Sequence, residues 1–81
     1  MKIIYFAWIK DITNLPEELL DSNEIRNLDS LKKYIISNYP DLKKHLDQEI
    51  LRFAVNQEYI IKNIDLKKND EIAVFPPVSG G

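Results

Sequence analysis

The chain ends Val78-Ser79-Gly80-Gly81, and Gly80 and Gly81 are the only two glycines among its 81 residues. They leave a carboxylate with no side chain within two residues, slender enough to pass down a narrow tunnel to a reactive group. A free carboxylate is a poor acyl donor. Joined to AMP, its carbonyl becomes an electrophile that a sulfur nucleophile can attack. The product is a C-terminal thiocarboxylate, a nucleophilic sulfur in a protein with no cysteine. Upstream, Pro76-Pro77 has no N–H to offer a neighbouring strand and holds an extended polyproline conformation, so a sheet must end at Phe75. Residues 76–81 are therefore predicted to be a flexible Gly-Gly tail launched from a globular domain of residues 1–75. At roughly 3.3 Å per extended residue the tail reaches about 20 Å. The competing reading is a frayed terminus, where small residues are tolerated because nothing packs on them.

Other residues carry weaker signals. The single histidine, His45, lies in a Lys-rich turn with no second histidine and no cysteine, and reads as a solvated surface residue rather than a ligand or base. Glu17 and Glu18 are adjacent, so their side chains point apart, and a charged loop explains them. No metal site and no bound cofactor are expected.

Size and charge narrow the function classes. A single small domain buries about 60 to 65% of its extended surface, which leaves little room for a deep substrate pocket and favours a carrier or binding module over a stand-alone enzyme. The net charge of −2, with lysines and acids interspersed, provides no basic stripe for a phosphate backbone, so no nucleic-acid partner is expected. The apolar run Ile3–Ile9 is too short to span a bilayer and lacks a signal cleavage site, so the expected location is cytoplasmic, without a membrane.

The tail needs a scaffold to project it. "KIIYFAWI" (2–9) is rich in β-branched and aromatic residues and reads as a strand with Ile3, Tyr5, Ala7 and Ile9 on one face and Ile4, Phe6 and Trp8 on the other. "EIRN" (24–27) is predicted to be a second strand forming a hairpin with the first. Asn27 reads as the N-cap of a helix over 28–38, with Leu28, Leu31 and Ile35 as its apolar stripe. Pro40 ends it, and "DLKKHL" adds one helical turn. "ILRFAVN" alternates as a strand with Leu51, Phe53 and Val55 facing one way. Asn56-Gln57 makes a tight turn into a brief strand at 59–61, and "KKND" is a turn with Asn69 at positive φ. "EIAVF" (71–75) is the last strand.

Strand, strand, helix, strand, short strand, strand suggests an α+β β-grasp (ubiquitin-like) fold, a mixed sheet packed on one main helix with the first and last strands paired in parallel at its centre. If the helix covers Tyr5, Ile35, Val55 and Val74, then Phe6, Trp8 and Phe75 form an apolar patch on the open sheet face, the expected docking surface.

The ending "AVFPPVSGG", the strand "DEIAVF", the segment "AVNQ" and the opening "IIYFAW" together resemble the MoaD family, the small sulfur-carrier subunit of molybdopterin synthase. The resemblance spans the whole chain and is most specific at the tail. It implies that Gly81 is adenylated by a MoeB-like adenylyltransferase using ATP and receives sulfur from a donor enzyme as a thiocarboxylate. It further implies insertion into the active site of a MoaE-like large subunit, in a heterotetramer, where sulfur passes to cyclic pyranopterin monophosphate to form molybdopterin in molybdenum cofactor biosynthesis. By that resemblance Gly81 and Gly80 are the catalytic positions, Pro76, Pro77, Val78 and Ser79 line the inserted tail, and Phe6, Tyr59 and Phe75 are apolar interface residues. Enzyme activity would then belong to the assembly, as a sulfurtransferase with its pocket on the large subunit. The rival readings are a ThiS-like or Urm-like sulfur carrier for another pathway and a non-covalent ubiquitin-like interaction module.

Overall fold

The first strand stops halfway along its apolar run, and the reason lies at the other end of the chain. The computed structural model describes residues 1–21 and 23–77. Strand β1 (Lys2–Tyr5) runs parallel to β5 (Glu71–Phe75), with Ile3 opposite Ile72 and Tyr5 opposite Val74. The Phe6 amide still donates to the Val74 carbonyl at 3.0 Å, but beyond Phe75 the prolines end the ladder. With no partner left, the chain turns at Ala7 (φ 55°) into helix α1 (Trp8–Thr13), which places Ile9 in the core. The predicted strand over 2–9 is thus corrected to 2–5. Ile9 is buried as expected, but from a helix, and Ala7 is exposed. Asn14 closes α1 in the left-handed region (φ 65°), which asparagine tolerates.

The second strand, β2, is Glu17–Leu19, directly after Pro16, and it pairs antiparallel with β1. The expected strand at 24–27 is therefore wrong. Ile25 instead plugs into the core, and Asn27 makes an isolated bridge to Asp65 before capping helix α2 (Leu28–Asn38). That cap matches expectation: the Asn27 side chain accepts from the Ser30 amide at 2.8 Å, while Ser30 Oγ accepts from the Asn27 amide at 3.0 Å. After α2 a 3-10 turn (Pro40–Leu42) leads into helix α3 (Lys43–Asp47). Strands β3 (Arg52–Val55) and β4 (Glu58–Ile60) form a hairpin whose two-residue turn, Asn56 (φ 51°) and Gln57 (φ 70°), has positive φ at both positions, as a type I′ geometry requires. Asn69 has no positive φ. The turn is closed instead by the Asp70 amide donating to the Lys67 carbonyl at 3.1 Å, with the Asp70 carboxylate accepting from the Lys67 amide at 2.7 Å. An i→i+3 turn of this kind needs no left-handed residue.

The sheet order is β2-β1-β5-β3-β4, with the parallel pair β1/β5 inside a mixed sheet. Helix α2 packs Leu28, Leu31 and Ile35 against Ile3, Tyr5, Phe53, Val55, Ile72 and Val74 in a single core. This is the predicted β-grasp architecture. The order matters for function because β5, the strand that leads to the tail, is held on both edges.

One polar cluster ties β2 to the helical layer. Strand alternation turns Glu18 inward, where its carboxylate accepts from the hydroxyls of Tyr5 (2.8 Å), Tyr34 (2.5 Å) and Tyr39 (3.0 Å). Burial, then the bond to Glu18, raises the pKa of all three phenols above their ordinary value. A raised folded-state pKa means that the native chain keeps protons the unfolded chain gives up, so the stabilisation is intact below about pH 10 and is lost as pH rises above it. Urea titrations at increasing pH are expected to show a flat midpoint to about pH 10 and a decline beyond. Glu18→Ala, which leaves three partly buried hydroxyls without their acceptor, is expected to lower stability by about 2–4 kcal/mol. An unchanged urea midpoint for this variant would show that the cluster contributes nothing.

Candidate functional site

Strand β5 delivers two features to the same end of the sheet. Ile72 and Val74 are buried toward α2, so Ala73 and Phe75 face the open side, and Pro76 and Pro77 follow immediately. Pro76 is half-buried and Pro77 exposed, and neither belongs to the strand, which ends at Phe75.

The open face is flat for a reason visible in the register. Ile4, Ala73, Ala54 and Tyr59 lie side by side across β1, β5, β3 and β4, and the two central alanines keep the middle of that row low. One step toward the tail, Phe6 continues past the end of β1 beside Phe75, and Arg52 pairs with Phe75 on the other side. The rings of Tyr59 and Phe75 are 6.3 Å apart and tilted by 47°. Phe6 is 47% exposed and Tyr59 53% exposed, which is more aromatic surface than a strand face needs for folding. The structure therefore brings together Phe6, Tyr59 and Phe75 beside Pro76 and Pro77. Val78, Ser79, Gly80 and Gly81, the remaining predicted site residues, lie outside the described residues.

Trp8 does not join this face. As the first residue of α1 it packs its indole on the imidazole of His45, with centroids 4.7 Å apart. His45 is correspondingly half-buried, with Nδ1 enclosed and without a hydrogen-bond partner, not the solvated residue expected. The period-2 reading of residues 2–9 hid this arrangement because Trp8, Ile9, Ile12 and Thr13 carry helical spacing that becomes visible only once Ile12 and Thr13 are included. Sequence reasoning also missed the exposure of Leu19 (79%), in β2, and of Ile61 (83%), one residue beyond β4. Leu19 was legible as an outward strand position, had β2 been placed at 17–19, whereas the expected strand at 59–61 is corrected to Glu58–Ile60, which leaves Ile61 just past its end. Around the patch the charge is modest: Lys2 pairs with Glu17 at 2.9 Å, and that hydrogen bond raises the Lys2 pKa. Among the described residues no group of three His, Cys, Asp or Glu could hold a metal ion, and no helix is long and apolar enough to cross a membrane.

A mixed five-stranded sheet on one main helix, with Pro76 and Pro77 following the central strand beside an aromatic patch, defines a ubiquitin-like β-grasp protein. The fold alone is close to that of SAMP1 from Haloferax volcanii, with a TM-score of 0.81 at 22% identity over 100% of this chain and 98% of that one. The ThiS family matches residues 3–81. A molybdopterin synthase sulfur carrier subunit from Dictyostelium discoideum is 42% identical over 99% of this chain and 94% of its own length. A solved complex of subunits 1 and 2 of the molybdopterin-converting factor from Helicobacter pylori contains a chain that superposes with a TM-score of 0.67 at 27% identity, covering 99% of this chain and 96% of that one. The chain belongs to the ThiS family, on the branch of the molybdopterin synthase sulfur carrier subunits.

Proposed function

We propose that this chain is the sulfur-carrier subunit of a molybdopterin synthase, with Gly81 as the carrier position. A MoeB-like adenylyltransferase joins the Gly81 carboxylate to AMP, consuming ATP. Sulfur at the sulfide level, delivered by a donor enzyme as hydrosulfide or as a persulfide whose S–S bond a thiol then reduces, attacks the acyl-adenylate carbonyl, the C–O bond to AMP breaks, and the thiocarboxylate remains. The charged tail enters a MoaE-like large subunit, whose pocket holds cyclic pyranopterin monophosphate, and the sulfur is passed to it to form molybdopterin. Catalysis belongs to the assembly, a heterotetramer, because this small chain supplies the nucleophile and the large subunit supplies the pocket. The chain itself holds no cofactor, and its dependence on ATP-driven activation fits work in the cytoplasm.

The observation that carries this reading is the shared position of the aromatic patch and the tail exit. Phe6, Tyr59 and Phe75 flank the point at which Pro76-Pro77 leaves the sheet. A partner that covers the patch is thereby placed where a slender tail of about 20 Å can reach into it. The name of the Dictyostelium discoideum relative and the two-subunit Helicobacter pylori complex support the same assignment.

The test is an intact-mass measurement on the chain purified from its host and on the chain incubated with ATP, a MoeB-like enzyme and a sulfur source. The expected mass is that of the chain with one oxygen replaced by one sulfur, located at Gly81 by fragmentation. If the terminus stays a plain carboxylate under both conditions, the carrier assignment fails.

A further inference from the structure

The sheet has a second recognition element on its far side. Strand β4 is an edge strand, paired only with β3. Its register leaves alternate backbone groups free: Phe53 faces Ile60 and Val55 faces Glu58 as the bonded pairs flanking the two-residue turn, so the amide and carbonyl of Tyr59 point away from β3. Tyr59 and Ile61 add apolar surface at 53% and 83% exposure. β4 is a short edge of three residues with an exposed Glu58 at its start, and it carries no proline, bulge or inward charge that would close it to a further strand.

Beside this edge runs a groove of about 250 Å³ between β4, the first half of α2 and the segment after α3. Leu28, Leu51 and Phe53 lie beneath it, already buried in the core, and its charged rim is mainly basic: Lys32, Arg52 and Lys62 against Glu49. Lys32 Nζ lies 5.6 Å from the centroid of the Phe53 ring. A basic rim on a chain of net charge −2 is a local departure from the overall balance. The opposite edge, β2, is different, since Glu17 and Glu18 give it acidic character and Glu18 turns into the core.

From the free edge, the exposed Tyr59 and Ile61 and the basic rim together, we propose that β4 accepts an extended acidic segment of a partner protein as a sixth strand. The added strand bonds through Tyr59 and Ile61, sets apolar side chains beside Ile60 on the helix side of the sheet and beside Tyr59 and Ile61 on the other, and places carboxylates against Lys32 and Lys62. Main-chain bonds supply the attraction and the lysines select the sign of charge. This inference is independent of Gly81 and of the sulfur chemistry.

The test uses the full chain and synthetic nine-residue peptides in which Val and Thr alternate, flanked by Asp and Glu at one end. One analogue replaces the acids with Lys, and another places Pro at the centre. Amide shifts and hydrogen exchange are read residue by residue. The acidic peptide is expected to shift Tyr59 and Ile61 and slow their exchange at least about tenfold at saturation, since their amides become paired. Binding should weaken with salt, disappear for the proline peptide, and fall at least about fivefold in Lys62→Glu, an exposed position whose change leaves the core intact. Lys32→Gln, which keeps a long side chain over Phe53, should weaken it in the same direction. The proposal is overturned if the Lys peptide binds equally well, if protection falls on β2, or if Tyr59 and Ile61 are protected by concentration alone, which would make the occupant a second copy of this chain.

Discussion

Deleting Gly81 is expected to reduce molybdopterin formation at least about 100-fold while leaving the fold unchanged. The truncated chain ends at Gly80, one residue and roughly 3.3 Å short of the place where its terminal carbon must react. Misplacement by about 1 Å is enough to cost about two orders of magnitude in a positioned reaction, and no neighbouring element can stretch to close a larger gap. Stability should change by less than about 0.5 kcal/mol, because the hydrophobic core is complete at Val74. The measurement pairs product formation, in a reconstituted mixture with ATP, activating enzyme, sulfur source and large subunit, with a urea midpoint and a binding assay on the large subunit. A non-covalent interaction module predicts the opposite result. Product formed by the truncated chain at the rate of the full chain would exclude Gly81 as the carrier.

Phe75→Arg is expected to weaken association with the large subunit by about 2 kcal/mol or more, roughly a 30-fold rise in Kd. Phe75 is half-exposed in the isolated chain, next to Tyr59 and opposite Arg52. In the free protein a guanidinium at this position stays hydrated, at the cost of mild repulsion from Arg52. Under a docked partner it loses that hydration without gaining a counter-charge. Phe75→Tyr keeps the ring and should bind almost as well, which separates loss of contact from misfolding. Calorimetric titration with the large subunit reads both, and unchanged affinity for Phe75→Arg would mean that the partner covers a different face.

How legible these features were in the sequence depended on whether local signals decided them. Helix α2 was bounded by its own residues: Asn27 and Ser30 cap each other, Leu28, Leu31 and Ile35 form the stripe, and Pro40 follows. The β3–β4 hairpin was readable because alternation in Leu51–Val55 and a two-residue polar turn both fix its register. Strand β5 was readable from its alternation and from the prolines that stop it. Those same prolines also stop β1, but that consequence crosses almost seventy positions of sequence and depends on the two strands being parallel neighbours. Nothing within "IIYFAWI" marks Tyr5 as the last paired residue. Pro16 looked like a break, and only pairing with β1 makes the residues after it a strand.

The site divides along the same line. Chain composition alone pointed to the bare glycine end, the stiff proline exit and the absence of any thiol, since these are properties of covalent structure that no packing alters. Tertiary contact selected Tyr59 and Phe75 as neighbours, removed Trp8 from their face to stack on His45, and turned Glu18 into an acceptor for three tyrosines. Each of those outcomes joins residues between 13 and 37 positions apart, where the deciding energy is the burial and hydrogen bonding of one segment against another. No window of local sequence contains that energy.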